Sequence, residues 1–240
     1  MERLVLSGDI PATFPPEGKW NYWRPPTEGI VELGTLHGRN VGLPTHFHDE
    51  NQITFVLSGR RRFLIEGRVI DLAAGQGTLI PAGIPHSSVV EPAGVVCLNA
   101  YVPAGRYAVT AMMMEIARLW RKAGQVHWND LMTVIREHRQ DKLPANLGMP
   151  VRFDGREPVS EMAARMGMSR EGFSRMFARR WGMPPHAFRL TSRLNHARKL
   201  LRTGETIAAV AAETGFADQS HFGRGFRRAF GVTPGQYRLG

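Results

Sequence analysis

Three histidines and one glutamine in the first half of the chain have the types and spacing of a ligand-binding site. His46 and His48 are two residues apart, Gln52 follows four residues later, and His86 comes further along. Side chains two apart in a strand lie on the same face, so the first two histidines point to the same side. Imidazole nitrogens coordinate Fe, Ni, Mn or Zn, and they also hydrogen-bond organic molecules. The set predicts a divalent-metal site or an organic effector site, and histidines that only pack in the core are the third interpretation.

Aromatic and basic residues flank this motif in the sequence. Trp20, Tyr22 and Trp23 are expected to wall the same pocket, since aromatic rings line many small-molecule sites. Arg60-Arg61-Arg62 follows Ser58-Gly59, which we interpret as a hairpin turn. These three arginines are therefore expected to lie on a solvated strand edge that discourages pairing with another chain.

One pattern of apolar, glycine and aromatic residues occurs twice in the last third of the chain. The copies are offset by 48 residues up to the glycine and by 49 after it. In each copy a short helix is predicted to end at the glycine, which permits a left-handed turn, and a second helix follows. Ser169 and Asp218 are placed to cap those second helices. The first copy runs through Met162-Ala163, Gly167, Phe173, Phe177 and Trp181, and the second through Val210-Ala211, Gly215, Phe222, Phe226 and Phe230.

The second helix of each copy has an aromatic stripe for packing and an opposite polar face. This is the helix-turn-helix arrangement, in which the second helix enters a major groove of DNA. The predicted recognition helices are residues 170–180 and 219–229, and residues 187–203 form the helix that joins the copies. Two recognition helices in one chain can address successive major-groove faces about 34 Å apart.

The elements that position these residues fall into four segments. Residues 1–105 contain short apolar or alternating runs broken by Gly and Pro, which predict a β sandwich or barrel. Residues 106–140 have helical spacing and predict a helical hairpin whose Met-rich stripe is either core or a homodimer contact. Residues 141–157 are a predicted linker, and residues 158–240 an all-α domain. The predicted fold class is α+β: a β-barrel with appended helices, then two helix-turn-helix motifs joined by a linker helix.

Charge and composition narrow the function. The net charge is +10, and residues 154–240 carry 15 Lys+Arg against 7 Asp+Glu, whereas residues 1–153 carry 16 against 14. This division indicates a polyanion-binding module attached to a nearly neutral one. The single cysteine, Cys97, forms no intramolecular disulfide, and no apolar run reaches the roughly 18 residues of a membrane helix. A cytoplasmic protein without membrane insertion is expected.

Residues 158–240 resemble the DNA-binding domain of the AraC/XylS family of transcription regulators. The resemblance is carried by the run from Gly215 to Phe226 and by the segment from Gly231 to Arg238. In that family the first recognition helix dominates base specificity and the second adds base or phosphate contacts. The resemblance implies base contacts for Glu171, Ser174, Arg175, Gln219, Ser220 and Arg224, and phosphate contacts for Arg170, Arg179, His221 and Arg228.

The histidine segment resembles the two cupin motifs, His-x-His followed by an acid and a glycine, then Gly-x5-Pro-x-Gly-x2-His ending at His86. The resemblance covers residues 40–100 and implies a cupin-like barrel, as in sensor domains that precede AraC-type DNA-binding domains. It implies His46, His48, Gln52 and His86 as ligands for a divalent metal or an effector. Gln52 replaces the usual glutamate, and a neutral amide attracts a hard cation less than a carboxylate does.

We therefore predict a cytoplasmic one-component transcription regulator, not an enzyme. The cupin-like domain would bind a small-molecule or metal effector, with Trp23 beside the histidines, and the C-terminal domain would bind double-stranded promoter DNA. The family resemblance implies activation through RNA polymerase. The alternatives are a metal-dependent cupin enzyme, a dioxygenase or isomerase with a DNA-binding tail, and a nonspecific architectural DNA-binding protein.

Overall fold

The computed structural model describes residues 5–6, 15–26, 29–123, 126–140 and 157–240. Nearly all of the predicted linker, residues 141–156, lies outside these ranges. The strands are β1 Val5–Leu6, β2 Lys19–Trp23, β3 Glu32–Gly38, β4 Leu43–His46, β5 Asn51–Ile65, β6 Arg68–Ala73, β7 Gly77–Ile80, β8 His86–Ser88, β9 Val95–Val102 and β10 Val126–His127. The helices are α1 Val109–Ala123, α2 Trp128–Glu137, α3 Val159–Arg165, α4 Arg170–Trp181, α5 Pro185–Arg202, α6 Ile207–Glu213, α7 Gln219–Phe230 and α8 Pro234–Leu239.

Eight strands form one curled antiparallel sheet, and the predicted cupin-like fold is confirmed. The strand order is β2-β3-β9-β5-β8-β4, and β6 and β7 also pair with β5. The central strands β5 and β9 are apolar because both of their faces are covered: Phe55, Leu98 and Ala100 belong to one buried cluster and Val56 and Cys97 to another. The short strands β1 and β10 pair with each other outside this sheet.

Strand β5 differs from the sequence prediction. The hairpin turn expected at Ser58-Gly59 is wrong, because one strand continues from Asn51 to Ile65 and its register against β9 shifts between Val56 and Ser58. Such a shift is a β-bulge, which bends a strand without ending it. Gly59 has a φ of 75°, and a Cβ there would lie 2.2 Å from the Gly94 carbonyl oxygen. A glycine is therefore required for the bend.

Helices α1 and α2 form the predicted hairpin and pack on the sheet. Met112 and Ile116 of α1 and Leu131 and Ile135 of α2 are buried in the same cluster as Phe55 of β5. The apolar stripe is thus covered within the chain. It gives no argument for a homodimer contact.

The C-terminal residues form two helix-turn-helix units, α3–α4 and α6–α7, joined by α5. Each unit has its own apolar cluster, one around Phe173 and Phe177 and the other around Phe222 and Phe226. Helices α5 and α8, which follow the two units, each begin with a proline at the first helical turn, where no backbone donor is lost. Within the described residues, no helix is long and apolar enough to cross a lipid bilayer.

Candidate functional site

The turns and caps of both helix-turn-helix units have the predicted geometry. Gly167 and Gly215 have φ values of 65° and 74°, in the left-handed region that closes the first helix of each unit. The Ser169 hydroxyl accepts a hydrogen bond from the Gly172 amide at 3.0 Å, and Asp218 caps α7 by accepting one from the His221 amide at 2.6 Å. These local interactions fix where α4 and α7 begin, and hence which residues face outward.

The residues predicted to contact DNA lie on the outer faces of α4 and α7. Ser174 is half-buried and the other nine are exposed. The set is Arg170, Glu171, Ser174, Arg175 and Arg179 on α4 and Gln219, Ser220, His221, Arg224 and Arg228 on α7. None of the five arginines forms an ion pair with another described residue. Their guanidinium groups are free to contact phosphates and base edges. We call these two faces the recognition surfaces.

The three histidines meet inside the curled sheet, as their spacing predicts. The ring centroids of His46 and His48 are 4.8 Å apart, those of His46 and His86 are 4.5 Å apart, and those of His48 and His86 are 5.3 Å apart. All three are buried. Gln52 is beside them, and its Nε2 donates to Thr54 and to Asn99. We call the space between these side chains the histidine cavity.

Burial keeps the three imidazoles neutral. It lowers the pKa of His86 to about 4, and it lowers the pKa values of His46 and His48 well below the ordinary value, with further lowering by the neighbouring rings and by Arg198. Nδ1 of His46 lies 2.8 Å from the Pro44 carbonyl oxygen, and Nδ1 of His86 lies 2.9 Å from that of Ile84. A carbonyl only accepts, so both rings carry their proton on Nδ1 and leave Nε2 as an acceptor.

His48 has the opposite tautomer. Its Nδ1 lies 3.0 Å from Nη1 of Arg198, and a guanidinium only donates, so the proton of the neutral ring is on Nε2. A hydrogen-bonding interaction with the Gln52 side chain acts to raise the pKa of His48, and beyond each other His48 Nε2 and Gln52 Oε1 have no hydrogen-bond partner among the described residues. His86 Nε2 has none either. Such buried polar atoms without partners are typical of a binding site.

His46, His48 and His86 bring one nitrogen each to within 4.8 Å of the others, a spacing that a metal ion could use, but their surroundings disfavour a divalent metal in this arrangement. Only His46 and His86 offer a free imidazole lone pair, because Nε2 of His48 carries a proton. Gln52 supplies a neutral oxygen where a carboxylate would supply charge. Two buried guanidinium groups, Arg61 and Arg198, also oppose a cation here by Coulombic repulsion. The donor set gives no support to the metal-dependent enzyme alternative.

The prediction that Arg60, Arg61 and Arg62 all lie on a solvated strand edge is wrong for Arg61. Beyond the bulge in β5 the Arg61 side chain points into the histidine cavity, where it is 2% exposed. Its neighbours do face outward and are paired: Arg60 with Asp71 at 2.5 Å and Arg62 with Glu91 at 3.2 Å. The sequence contained no signal for this, since the inward turn depends on the bulge.

The aromatic wall was predicted only in part. Trp20 and Tyr22 line the histidine cavity, but Trp23 does not. Successive side chains of a strand point to opposite faces, so Trp23 of β2 packs instead against the cluster under α1 and α2. The assignment of Trp23 to the effector site is therefore wrong.

Helix α7 closes the histidine cavity. Ala229 and Phe230, at the end of the second recognition helix, form part of its lining. The remaining volume is about 10 Å³, which holds roughly one water molecule. A larger groove of about 490 Å³ lies between the rim of the sheet and the end of α4, but its charged lining residues, such as Arg179 and Arg180, are exposed. Three buried polar atoms without a partner among the described residues, on His48, Gln52 and His86, line the histidine cavity, so we take that cavity as the candidate effector site.

A buried ion network, missed by sequence reasoning, joins the C-terminal domain to the sheet. Arg198 of α5 is 1% exposed, and its guanidinium lies 2.6 Å from Glu32 and 3.7 Å from Glu50. The Tyr237 hydroxyl also donates to Glu32, and Arg202 donates to Glu50 at 2.7 Å. The sequence offered one signal for this network: Arg198 is a charged residue within the apolar stripe of α5, one turn after Leu194.

Apolar contacts reinforce the network. Phe47, in the segment after β4, packs on Phe188 of α5 with ring centroids 4.7 Å apart and belongs to the cluster of the first helix-turn-helix unit. Tyr22 and Tyr101 belong to the cluster of the second unit, and the Tyr22 hydroxyl donates to the Phe230 carbonyl at 2.9 Å. The sheet thus holds both helix-turn-helix units.

Comparison with known proteins agrees with this architecture. A family model described as a helix-turn-helix domain matches residues 162–240, and one described as a cupin domain matches residues 33–96. The chain thus combines a cupin domain with a C-terminal helix-turn-helix DNA-binding domain of the AraC type.

Individual relatives match either the C-terminal domain alone or most of the chain. The C-terminal domain is 40% identical over 81 residues to the HTH-type transcriptional regulator MtrA of Neisseria gonorrhoeae, a match that covers 33% of this chain and only 27% of that protein. The probable transcriptional regulator LumQ of Photobacterium leiognathi is 24% identical over 227 residues, covering 81% of this chain and 91% of LumQ. The crystal structure of fatty-acid-bound ToxT from Vibrio cholerae covers 90% of this chain and 97% of ToxT at 13% identity, with a TM-score of 0.51, and it shows similarity of fold.

Proposed function

We propose that the protein is a transcription regulator that binds double-stranded promoter DNA through both recognition surfaces. The observation that carries this proposal is that two helices, whose exposed arginines form no ion pair with another described residue, are joined by one helix, α5, in a single chain. A free guanidinium can bind phosphate through charge and guanine through two hydrogen bonds. The arrangement thus suits sequence-specific binding better than nonspecific coating of DNA.

Replacing Arg175 tests the proposal at one base contact. We expect Arg175→Ala to weaken binding to the cognate site by about 1–3 kcal/mol and to relax discrimination at one base position. The matched control is Arg118→Ala, which removes the same charge from an exposed arginine of α1. Competition binding against single-base variants of the site measures both effects.

Two results would contradict this assignment. If Arg175→Ala weakens binding equally on every sequence, Arg175 contacts only phosphate. If Arg118→Ala reduces affinity as much as Arg175→Ala, the contribution is general charge and not recognition.

The histidine cavity supports a regulatory role. An occupant larger than about one water molecule requires the lining of the cavity to move, and Phe230, at the end of the second recognition helix, belongs to that lining. An effector that prefers the displaced arrangement shifts the protein towards it, whereas equal affinity for both arrangements would change nothing. We propose that effector binding in this cavity alters the position of the second recognition helix.

Three finer features complete the proposed function. We propose that the regulator acts in the cytoplasm and activates transcription through contact with RNA polymerase, as the resemblance to its family implies. Transcription in vitro with purified polymerase, with and without the protein, determines the sign of regulation. Size measurement in solution determines whether it works as a monomer or a homodimer; the tandem recognition surfaces need only a monomer.

A further inference from the structure

We propose that the effector of the histidine cavity is a small carboxylate, with Arg61 as its charge partner, His48 as a second donor and His86 as the acceptor for a hydroxyl group on the same molecule. The inference rests on the proposed function, because it names the chemical class of the effector for that site.

Arg61 is the first reason to expect an anion. Among the described residues, Arg61 donates one hydrogen bond, to the Val41 carbonyl at 3.0 Å. Its guanidinium lies 5.1 Å from the Phe63 ring centroid. No described carboxylate lies within ion-pair distance. Glu91 is the nearest in its electrostatic effect, but it is already bound to Arg62. A buried charge without a partner is costly, and a ligand of opposite charge removes the cost.

Arg198 differs from Arg61 in having carboxylate partners. The two arginines are equally buried, at 2% and 1% exposed, but Arg198 has Glu32 at 2.6 Å and Glu50 at 3.7 Å. Cys97, close to Arg61, supplies no negative charge, because burial raises the pKa of its thiol to about 12. Arg61 therefore lines the cavity as an unbalanced cation.

The histidines define the rest of the ligand. Arg198 fixes His48 with its proton on Nε2, so this buried nitrogen is a hydrogen-bond donor, and Gln52 is its one described neighbour that can accept from it. Ile84 fixes His86 with its proton on Nδ1, so its buried Nε2 is an acceptor without a described partner. Arg61, His48 and His86 all line the histidine cavity, so once the lining opens beyond its volume of about 10 Å³ a carboxylate would accept from Arg61 and His48, and a hydroxyl would donate to His86.

The test uses glycolate, the smallest hydroxycarboxylate, and its neutral isostere glycolamide. Saturation-transfer NMR on the full chain detects weak binding of each. We expect transfer to glycolate at least 10-fold stronger than to glycolamide, with acetate between them because it keeps the charge and lacks the hydroxyl. Arg61→Met should abolish glycolate binding, whereas Arg60→Met, which removes the neighbouring exposed charge, should leave it unchanged.

Thermal unfolding provides a second readout that does not need a ligand. Because Arg61 is unbalanced in the free protein, Arg61→Met should keep or raise the midpoint temperature, whereas loss of a structural arginine would lower it. Absence of transfer to glycolate, equal transfer to glycolamide, or equal glycolate binding by Arg61→Met would overturn the proposal, as would a lowered midpoint. DNA selectivity of the wild-type protein is measured separately, so failure of the regulator function is distinguishable from failure of this inference.

Discussion

Arg198 shows how one side chain determines the relation between the two domains. It is buried, it contacts two carboxylates of the cupin domain, and it fixes the tautomer of His48 at the wall of the histidine cavity. The next residue, Lys199, also pairs with a carboxylate of that domain, Asp49, at 2.6 Å, but those two side chains are 53% and 37% exposed. Burial makes the first interaction far more consequential than the second, because solvent screens the exposed pair.

Substitution of Arg198 and of Lys199, each in its own variant, tests how much more the buried interaction stabilises the fold than the exposed one. Arg198→Met removes the nearer cation of buried Glu32 and leaves it only Arg202, at 4.0 Å, so we expect the free energy of unfolding to fall by about 3–5 kcal/mol. Lys199→Met, the matched control, should lower it by about 0–1 kcal/mol. Urea denaturation of the full chain measures both. Similar losses for the two variants would show that the buried network does not hold the domains together.

The sequence predicted residues that belong to local patterns better than residues that depend on distant partners. His46, His48 and His86 were found because a strand period and a motif place them, and the arginines of the recognition surfaces because a helix period does. Arg198 and Glu32 are 166 positions apart, and their pairing exists only once the domains dock. No local pattern could indicate it.

At the scale of elements, each helix-turn-helix unit depends on one glycine in a left-handed turn. Gly167 has a φ of 65°, and a Cβ there would meet no atom within 4 Å, so only backbone strain opposes a side chain. Gly223, inside α7, also has open space around its Cα, but it lacks a positive φ. Substitutions at Gly167 and Gly223 therefore distinguish the effect of the backbone conformation of the turn from the effect of side-chain packing.

Alanine at these two glycines should have opposite effects. We expect Gly167→Ala to lower the free energy of unfolding by about 1–2 kcal/mol, because a Cβ is strained in the left-handed conformation. Gly223→Ala should raise it by roughly 0.5–1 kcal/mol, because a helix interior favours alanine. Chemical denaturation measures both. A neutral Gly167→Ala would contradict the turn described here.

The bulge in β5 shows where element prediction fails. A glycine after an apolar run is compatible with a hairpin turn or with a bulge, and the two differ in what the partner strand does. Here β9 pairs with β5 through the bulge as far as Gly59, and β6 pairs with the part of β5 that follows, from Arg60 to Ile65, so β5 is one strand. That long-range pairing, absent from any local window, turns Arg61 inward and changes it from a surface residue to a cavity residue.

At the scale of the whole molecule, docking on the sheet leaves both recognition surfaces open. The cupin domain holds α5 and closes its cavity with the inner end of α7, while the outer faces of α4 and α7 remain exposed. Residues 154–240 also carry most of the excess positive charge. The proposed effector site and one of the two recognition surfaces thus share one helix, α7, and a tandem arrangement in one chain predicts an asymmetric operator.

Selection of DNA from a random library by the full chain, followed by sequencing, tests this central claim most directly. We expect an asymmetric motif with two blocks of preferred bases about 10 base pairs apart, one turn of the double helix. Arg175→Ala should flatten one block and Arg224→Ala the other, while Arg118→Ala should preserve both. A palindromic motif, a single block that neither substitution changes, or no enrichment would contradict two recognition helices acting in one chain.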